Sequence, residues 1–283
     1  MTDLSGRCCV VTGATNGIGR ATAHALAEMG AAVVVHGRNA AAVDAVRRAI
    51  AEVTRNGRVT GAVADFGSLA DVRRMARDVA SRHGHIDVLV NNAGTMSRVR
   101  RTTADGFEWQ FGVNHLAPFL LTNLLLDAVK ASAAGRVVNV ASQAHRRATI
   151  DFDDLQLERK RYSGFRAYGA SKLANILFTA ELSRRLAGTN VTANCLHPGV
   201  VATNIFGGGA VGTLIRLLGR WVLLSPTEGA ATSVYLASSA QVAGVTGKYF
   251  DKCREVAPAS TASDTAAAAR LWGISERLTG LKT

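Results

Sequence analysis

Seven short apolar runs alternate with amphipathic stretches along the chain, and this rhythm limits the fold more than any other feature. The runs are Cys8–Thr12, Ala32–Gly37, Val59–Ala64, Val88–Asn91, Val137–Ala141, Val191–Leu196 and Gly247–Phe250. They are continuously apolar, the pattern of parallel strands covered on both faces. Helical spacing fills the gaps at Gly17–Met29, Ala40–Thr54, Leu69–His83, a long stretch within Gly106–Ala133, and Tyr168–Leu186. Strand then helix, repeated, implies right-handed crossovers and a doubly wound sheet. The expectation is one α/β domain over residues 1–283, with a seven-stranded, mostly parallel sheet flanked by helices.

Two segments break the rhythm. Gln143–Ala167 is polar and mixed, and Val200–Leu224 carries Gly207-Gly208-Gly209 before an apolar stretch. Ser225-Pro226-Thr227-Glu228 then reads as a helix start: Ser as N-cap, Pro at the first position, Glu at the third.

Thr12-Gly13-Ala14-Thr15-Asn16-Gly17-Ile18-Gly19 lies between the first strand and the first helix. Gly13 permits a tight turn, Gly17 a close approach of backbone to a pyrophosphate, and Gly19 close packing of helix on strand. The amides and partial positive charge of a helix N-terminus then face the phosphates. The strand–turn–helix context makes this glycine pattern informative, where alone it would be weak. It predicts a Rossmann-type nucleotide-binding core, with Thr15, Asn16 and Ile18 beside the three glycines. The end of the second strand reads His36-Gly37-Arg38-Asn39, with no carboxylate to bind the ribose 2′-hydroxyl of NAD. Arg38, beside Asn39, offers a planar fork to a 2′-phosphate instead, which points to NADP(H). Asp65-Phe66 follows the third strand. There Asp65 can accept from an adenine amino group or cap the next helix, and both readings stand.

Tyr168 and Lys172 stand at i and i+4 on one face of a predicted helix. A phenol titrating near pH 10 is a poor acid–base catalyst at neutral pH, and a neighbouring ammonium makes it a better one. Transfer of a proton to or from a carbinol oxygen needs such a group. The pair gains weight from its place, after the run that ends in Ser142.

The set Thr12–Gly19, Asn91-Asn92-Ala93-Gly94, Asn114, Ser142, Tyr168/Lys172 and His197-Pro198-Gly199 with Thr203, in that order, resembles the short-chain dehydrogenase/reductase family along nearly the whole chain. The resemblance implies Tyr168 as general acid/base and Lys172 as the group that lowers its pKa and holds the nicotinamide ribose. Ser142 would hydrogen-bond the substrate carbonyl, and Asn114 would orient a water in a proton relay. Asn91, Asn92, Ala93 and Gly94 would line the cofactor, with Asn91 also supporting the strands. Pro198, Gly199, Val201 and Thr203 would lie on the nicotinamide side. Tyr168-Gly-Ala-Ser-Lys-Leu-Ala-Asn-Ile-Leu-Phe178, Leu196-His-Pro-Gly-Val200 and Gly247-Lys-Tyr-Phe250 look like the retinol dehydrogenase branch. That branch generally uses NADP(H) on lipophilic aldehydes, alcohols or ketones. Many animal members begin with a hydrophobic anchor, whereas this chain begins at its first strand, so a soluble relative is expected.

Val200–Leu224 offers Ile205, Phe206, Leu214, Leu217, Leu218 and Trp221 to an apolar substrate. The same residues suit a packed helix, or, with Arg216 and Arg220, a peripheral membrane contact. His145 and His197 are expected to be hydrogen-bonded structural residues. The rival readings are a steroid or other ketone reductase on this scaffold, and an inactive NADP(H)-sensing protein. The family often forms dimers or tetramers, so a homo-oligomer is also compatible.

Bulk properties agree. At 48% hydrophobic and 19% charged, the chain resembles a soluble globular protein. It has no apolar run of about 18 residues that would span a membrane. Met1-Thr2-Asp3-Leu4 lacks the basic then apolar pattern of a signal peptide, so a cytoplasmic location is expected. The cysteines at 8, 9, 195 and 253 include no CxxC pair and read as reduced thiols, with no metal site. The net charge of +12 is spread along the chain, and its densest patch, Arg98-Val99-Arg100-Arg101, lacks interleaved aromatics. A solvated surface, and no nucleic-acid partner, is the expectation.

Overall fold

The structure is a computed structural model describing residues 2–159, 161–199 and 224–281. Strands β1 (Cys8–Val11), β2 (Ala32–Gly37) and β3 (Val59–Val63) alternate with helices α1 (Gly17–Glu28), α2 (Ala40–Thr54) and α3 (Leu69–Arg82). Then come β4 (Val88–Asn91), α4 (Trp109–Phe111), a π-helical turn Gly112–Leu116, α5 (Ala117–Lys130) and β5 (Gly135–Val140). Next are α6 (Gly164–Arg185), β6 (Val191–His197), α7 (Pro226–Ser238), β7 (Tyr249–Asp251), β8 (Arg254–Glu255) and α8 (Thr265–Thr279).

The strand order is β3-β2-β1-β4-β5-β6-β7-β8. Strands β1 to β7 run parallel, each paired with its neighbours in that order. The chain winds outward from β1 to β3, then crosses to β4 on the other side of β1. The switch point therefore lies between β1 and β4, where a crevice opens at the strands' carboxyl ends.

Alternation along each strand divides the core into two layers. Val10, Val34 and Leu89 face α3, α5 and α6 with Leu121, Leu125 and Phe178. Val11, Val33, Val35 and Val90 face α1, α2 and α7 with Leu26, Ile50 and Leu236. Both faces are buried, which is why the runs carry no polar alternation.

Four features depart from the sequence expectation. The sheet has eight strands rather than seven, because β8 returns antiparallel to β7. Lys252 and Cys253 form its two-residue turn with φ of 48° and 59°, and the pair Arg254-Glu255 is exposed and polar. Neither the turn nor the strand carries its usual residue signal. Helix α8 was unmarked by any expectation; Trp272 anchors it 4.9 Å from Phe119 and 5.8 Å from Phe178, ring to ring. Helix α6 starts at Gly164, four residues before Tyr168, because Ser163 caps it through the Arg166 amide. The long stretch within 106–133 is split by the π turn. The start at Ser225 is a complete capping box: the Glu228 amide donates to Ser225 Oγ (3.2 Å) and the Ser225 amide to Glu228 Oε2 (2.8 Å).

Candidate active site

The first strand ends at the switch point, and Thr12 ties it to β4. Its hydroxyl donates to Val90 O at 3.2 Å and accepts from the amides of Asn92 (2.9 Å) and Ala93 (3.0 Å). Gly13 then turns with φ of 63°, and a Cβ there would stand 2.7 Å from Ala93 Cα. At Gly19 a Cβ would stand 2.3 Å from Gly13 O. No side chain fits at either position, so the loop folds tightly onto the end of β4. Asn16 opens α1 without a side-chain cap, and the first turn of α1 holds no acidic residue. The α1 amides therefore face the crevice uncapped by their own chain, which suits a phosphate. Gly17 sits at φ of 52°. Ile18 turns its side chain to Ala230 on α7, leaving its backbone to the loop. The Thr15 methyl lies where a Cβ on Gly37 would clash, at 2.4 Å.

His36 supports this loop, and sequence reasoning had passed over it. It is buried; its Nδ1 accepts from the Gly13 amide at 3.2 Å and its Nε2 faces Ala64 O at 3.1 Å. Those partners require a neutral ring protonated on Nε2. Burial depresses its pKa to about 4. Its ring stacks on Phe66 at 4.4 Å. A single histidine inside a valine-rich strand carries no signal of such a role.

Arg38 is exposed and has no ion-pair or hydrogen-bond partner among the described residues, so its guanidinium is free. Asn39 caps α2, accepting from the Ala42 amide at 2.9 Å. Asp65 is not a helix cap. Its Oδ1 accepts from the Gly67 amide (2.8 Å), whereas Ser68 caps α3. Its exposed carboxylate stays open to a ligand, beside buried Phe66.

On β4, Asn91 donates to Thr122 Oγ1 (2.9 Å) and Asn139 Oδ1 (2.8 Å), so its side chain braces the sheet as expected. Asn92 Nδ2 donates to Thr12 O at 2.8 Å and Gly13 O at 3.2 Å. Asn92 therefore locks two loops together, and Ala93 and Gly94 follow it along the crevice. A Cβ on Gly94 would lie 3.3 Å from Lys172 Nζ and 3.5 Å from Asn114 Oδ1. The glycine thus leaves room beside both groups, which a side chain would fill.

Lys172 is buried, donates from Nζ to Val140 O at 2.9 Å, and has its pKa depressed to about 8 by burial. Its Nζ lies 5.7 Å from the centre of the Tyr168 ring. Burial raises the Tyr168 pKa, and a hydrogen bond with the Ser142 hydroxyl opposes that shift. Ser142 is the N-cap of a short 3-10 turn, Gln143–Arg147, with Oγ accepting from the Ala144 amide at 3.2 Å. Gly169 brings α6 against this turn; a Cβ there would stand 3.0 Å from Ala144 O.

Asn114 is fully buried in the π turn. Its Oδ1 accepts from the Thr95 amide (2.7 Å), and its Nδ2 donates to Thr95 O and Ser171 Oγ (both 2.9 Å). Both amide hydrogens are committed. On the side chain, only a second lone pair on Oδ1 is left. Pro198 and Gly199 follow β6, with Gly199 at φ of 82°. Val201, Thr203 and the apolar residues from Ile205 to Trp221 lie outside the described residues. So do Arg216 and Arg220.

The family model for short chain dehydrogenase matches residues 7–208. Human retinol dehydrogenase 13 is 44% identical over 289 residues, covering 99% of this chain and 86% of its own. Human retinol dehydrogenase 14 is 43% identical over 295 residues, covering 98% of this chain and 88% of its own. A crystal structure of an uncharacterized protein from Mycobacterium Paratuberculosis superposes with a TM-score of 0.82 at 36% identity, covering 99% of this chain and 96% of that one.

Proposed function

This chain belongs to the short-chain dehydrogenase/reductase family and is retinol dehydrogenase-like, and from that premise we propose that it uses NADP(H) on a small lipophilic carbonyl or alcohol, with Tyr168 as general acid/base. Interconversion of carbonyl and alcohol follows from the family. The finer reading rests on one observation: Tyr168, Ser142, Lys172 and Asn114 converge beside the glycine loop.

The loop fits a dinucleotide. Side chains are excluded at Gly13 and Gly19, the α1 amides are open, and Gly94 leaves room beside the Lys172 ammonium. Thr15, Asn16, Gly17, Ile18 and Gly19 would hold the pyrophosphate through backbone amides, Arg38 the 2′-phosphate, and Asp65 with Phe66 the adenine. Bound NADPH would supply the hydride. Ser142 Oγ accepts from the Ala144 amide and shares a hydrogen bond with Tyr168, so the two hydroxyls stand together where a carbonyl oxygen would be held. Tyr168 is kept protonated by burial, the state that donates to that oxygen during reduction. Lys172, mostly charged near pH 7, sits beside the ring and stabilises the phenolate that remains. Oxidation uses the same groups in reverse. The lipophilic substrate class rests on the likeness to retinol dehydrogenases 13 and 14.

NADPH absorbance over a panel of retinoid, aliphatic and steroid carbonyls tests the reading. We expect turnover of apolar aldehydes or ketones, and its loss in Tyr168→Phe. Undiminished turnover in Tyr168→Phe would overturn the mechanism.

A further inference from the structure

The peptide between Ser142 and Gln143 is held on both of its polar sides by buried histidines. Its carbonyl, Ser142 O, lies 2.6 Å from His145 Nδ1. Its N–H, on Gln143, donates to His197 Nδ1 at 3.4 Å. His145 is fully buried and His197 nearly so. The other ring nitrogen of His145 accepts from the Ala259 amide at 3.1 Å. Nε2 of His145 is therefore the unprotonated nitrogen, and Nδ1–H donates to Ser142 O. His197 must have the opposite tautomer, since its Nδ1 accepts. The His145 ring is set edge-on against Tyr249 at 5.0 Å, which fixes its plane. Arg146, the next residue, donates to Ala257 O at 3.0 Å, so two consecutive side chains clamp residues 257–259 to the same turn.

This peptide plane sets the backbone of Ser142, and hence where Oγ points. Among the described residues, no other group from outside the turn meets the polar atoms of this peptide: the Ala144 amide bond to Oγ and the His145 amide bond to Ser142 O are internal, and Gln143 reaches Asp251 Oδ2 (3.2 Å) only through its side chain. We infer that His145 and His197 are positioning residues that bracket the Ser142–Gln143 peptide and thereby aim the Ser142 hydroxyl at the substrate oxygen. The inference rests on the proposed role of Ser142. Neither histidine needs to exchange a proton with substrate. Their function is geometric, and a misplacement of about 1 Å in such a site can cost about 100-fold in rate.

Two substitutions at one position separate aiming from mere support. An asparagine amide reaches where His145 Nδ1 lies, and a glutamine amide reaches where Nε2 lies. His145→Asn keeps the donor to Ser142 O and loses the tie to Ala259. His145→Gln keeps the tie and loses the donor. Each removes one buried hydrogen bond, so a purely structural role would damage both alike. The bracket predicts that kcat falls about 10- to 100-fold in His145→Gln, with KM for NADPH within about twofold of wild type. In His145→Asn, kcat should stay within about threefold under the same reasoning. Equal kcat in the two variants would overturn the inference. An independent readout is the tautomer of each ring, from nitrogen-15 NMR of histidine-labelled protein at neutral pH. We expect the Nδ1–H form at His145 and the Nε2–H form at His197, and the reverse at His145 would refute the bracket even in protein without turnover. Wild type without turnover but with these tautomers would instead count against the reductase reading alone.

Discussion

Arg38 shows what one side chain can decide. It is exposed, has no partner among the described residues, and stands where an NAD-binding protein would present a carboxylate. A charge-assisted contact to a 2′-phosphate contributes about 1.5–3 kcal/mol, or about 10- to 100-fold in affinity. Arg38→Ala should raise the dissociation constant for NADPH by that factor and leave NADH nearly unchanged, as read by calorimetric titration. Equal losses for both cofactors would exclude the assignment. Tyr168 and Lys172 were legible in the sequence through their i, i+4 spacing after the fifth strand, whereas Ser142 and Asn114 were marked only by the resemblance to the family. His145 and His197 are hydrogen-bonded structural residues as expected, but their partners were not legible, and neither was the role of His36. What each does depends on backbone groups 3 to 114 residues away, which no local pattern encodes. The committed side chain of Asn114 was equally hidden, since Thr95 and Ser171 meet it only through the π turn.

At the scale of elements, legibility followed burial. The first six parallel strands stand out because both of their faces are covered, and their ends were placed within two residues. Strand β7 is short, and Gly247, expected to begin it, instead turns with φ of 73°. Strand β8 is polar and exists only through its hairpin partner. Helix α8 is alanine-rich at its start, and its place is set by the fit of Trp272 among Phe119 and Phe178. Removing that ring leaves a cavity. Trp272→Ala should destabilise the chain by about 3–5 kcal/mol, read as a lowered urea midpoint. An unchanged midpoint would mean that α8 is a dispensable cover. The glycine loop makes a sharper prediction. In Gly19→Ala the new methyl meets Gly13 O and Asn92 Nδ2, at 2.3 and 2.4 Å, both part of the loop framework. Overpacking of this kind costs about 1–3 kcal/mol. Part of that displacement falls on the proposed pyrophosphate cradle, so NADPH should bind at least about tenfold more weakly. Wild-type affinity in Gly19→Ala would show that the cradle lies elsewhere.

Across the whole molecule, buried neutral histidines make stability depend on pH in a window that can be named. His36 and His115 are both buried, and burial depresses their pKa values to about 4 and about 3. His115 is held at Nε2 by Ser275 Oγ (2.8 Å), which joins the π turn to α8. His145 and His197 shift in the same direction, also through burial. Unfolded, each histidine titrates near 6.5. Above that value neither state binds the proton, and the stability is fully present. Below it the unfolded chain takes up protons that the folded chain refuses, so stability falls as pH drops from about 6.5 toward the folded values. At pH 5, His36 and His115 should each cost about 2 kcal/mol relative to pH 7, since one pKa unit is about 1.4 kcal/mol. The carboxylates of Asp71, Asp87 and Glu181 are themselves shifted down, so their stabilisation is lost only below the ordinary carboxylate range. The interval from pH 7 to 5 therefore isolates the histidines. Urea unfolding across it should show a midpoint that falls steadily with pH, and a shallower fall in His36→Gln. A flat midpoint in the wild type would mean that these rings meet water or charge in the folded state. The neutral His36 bond to the Gly13 amide would then have to be abandoned.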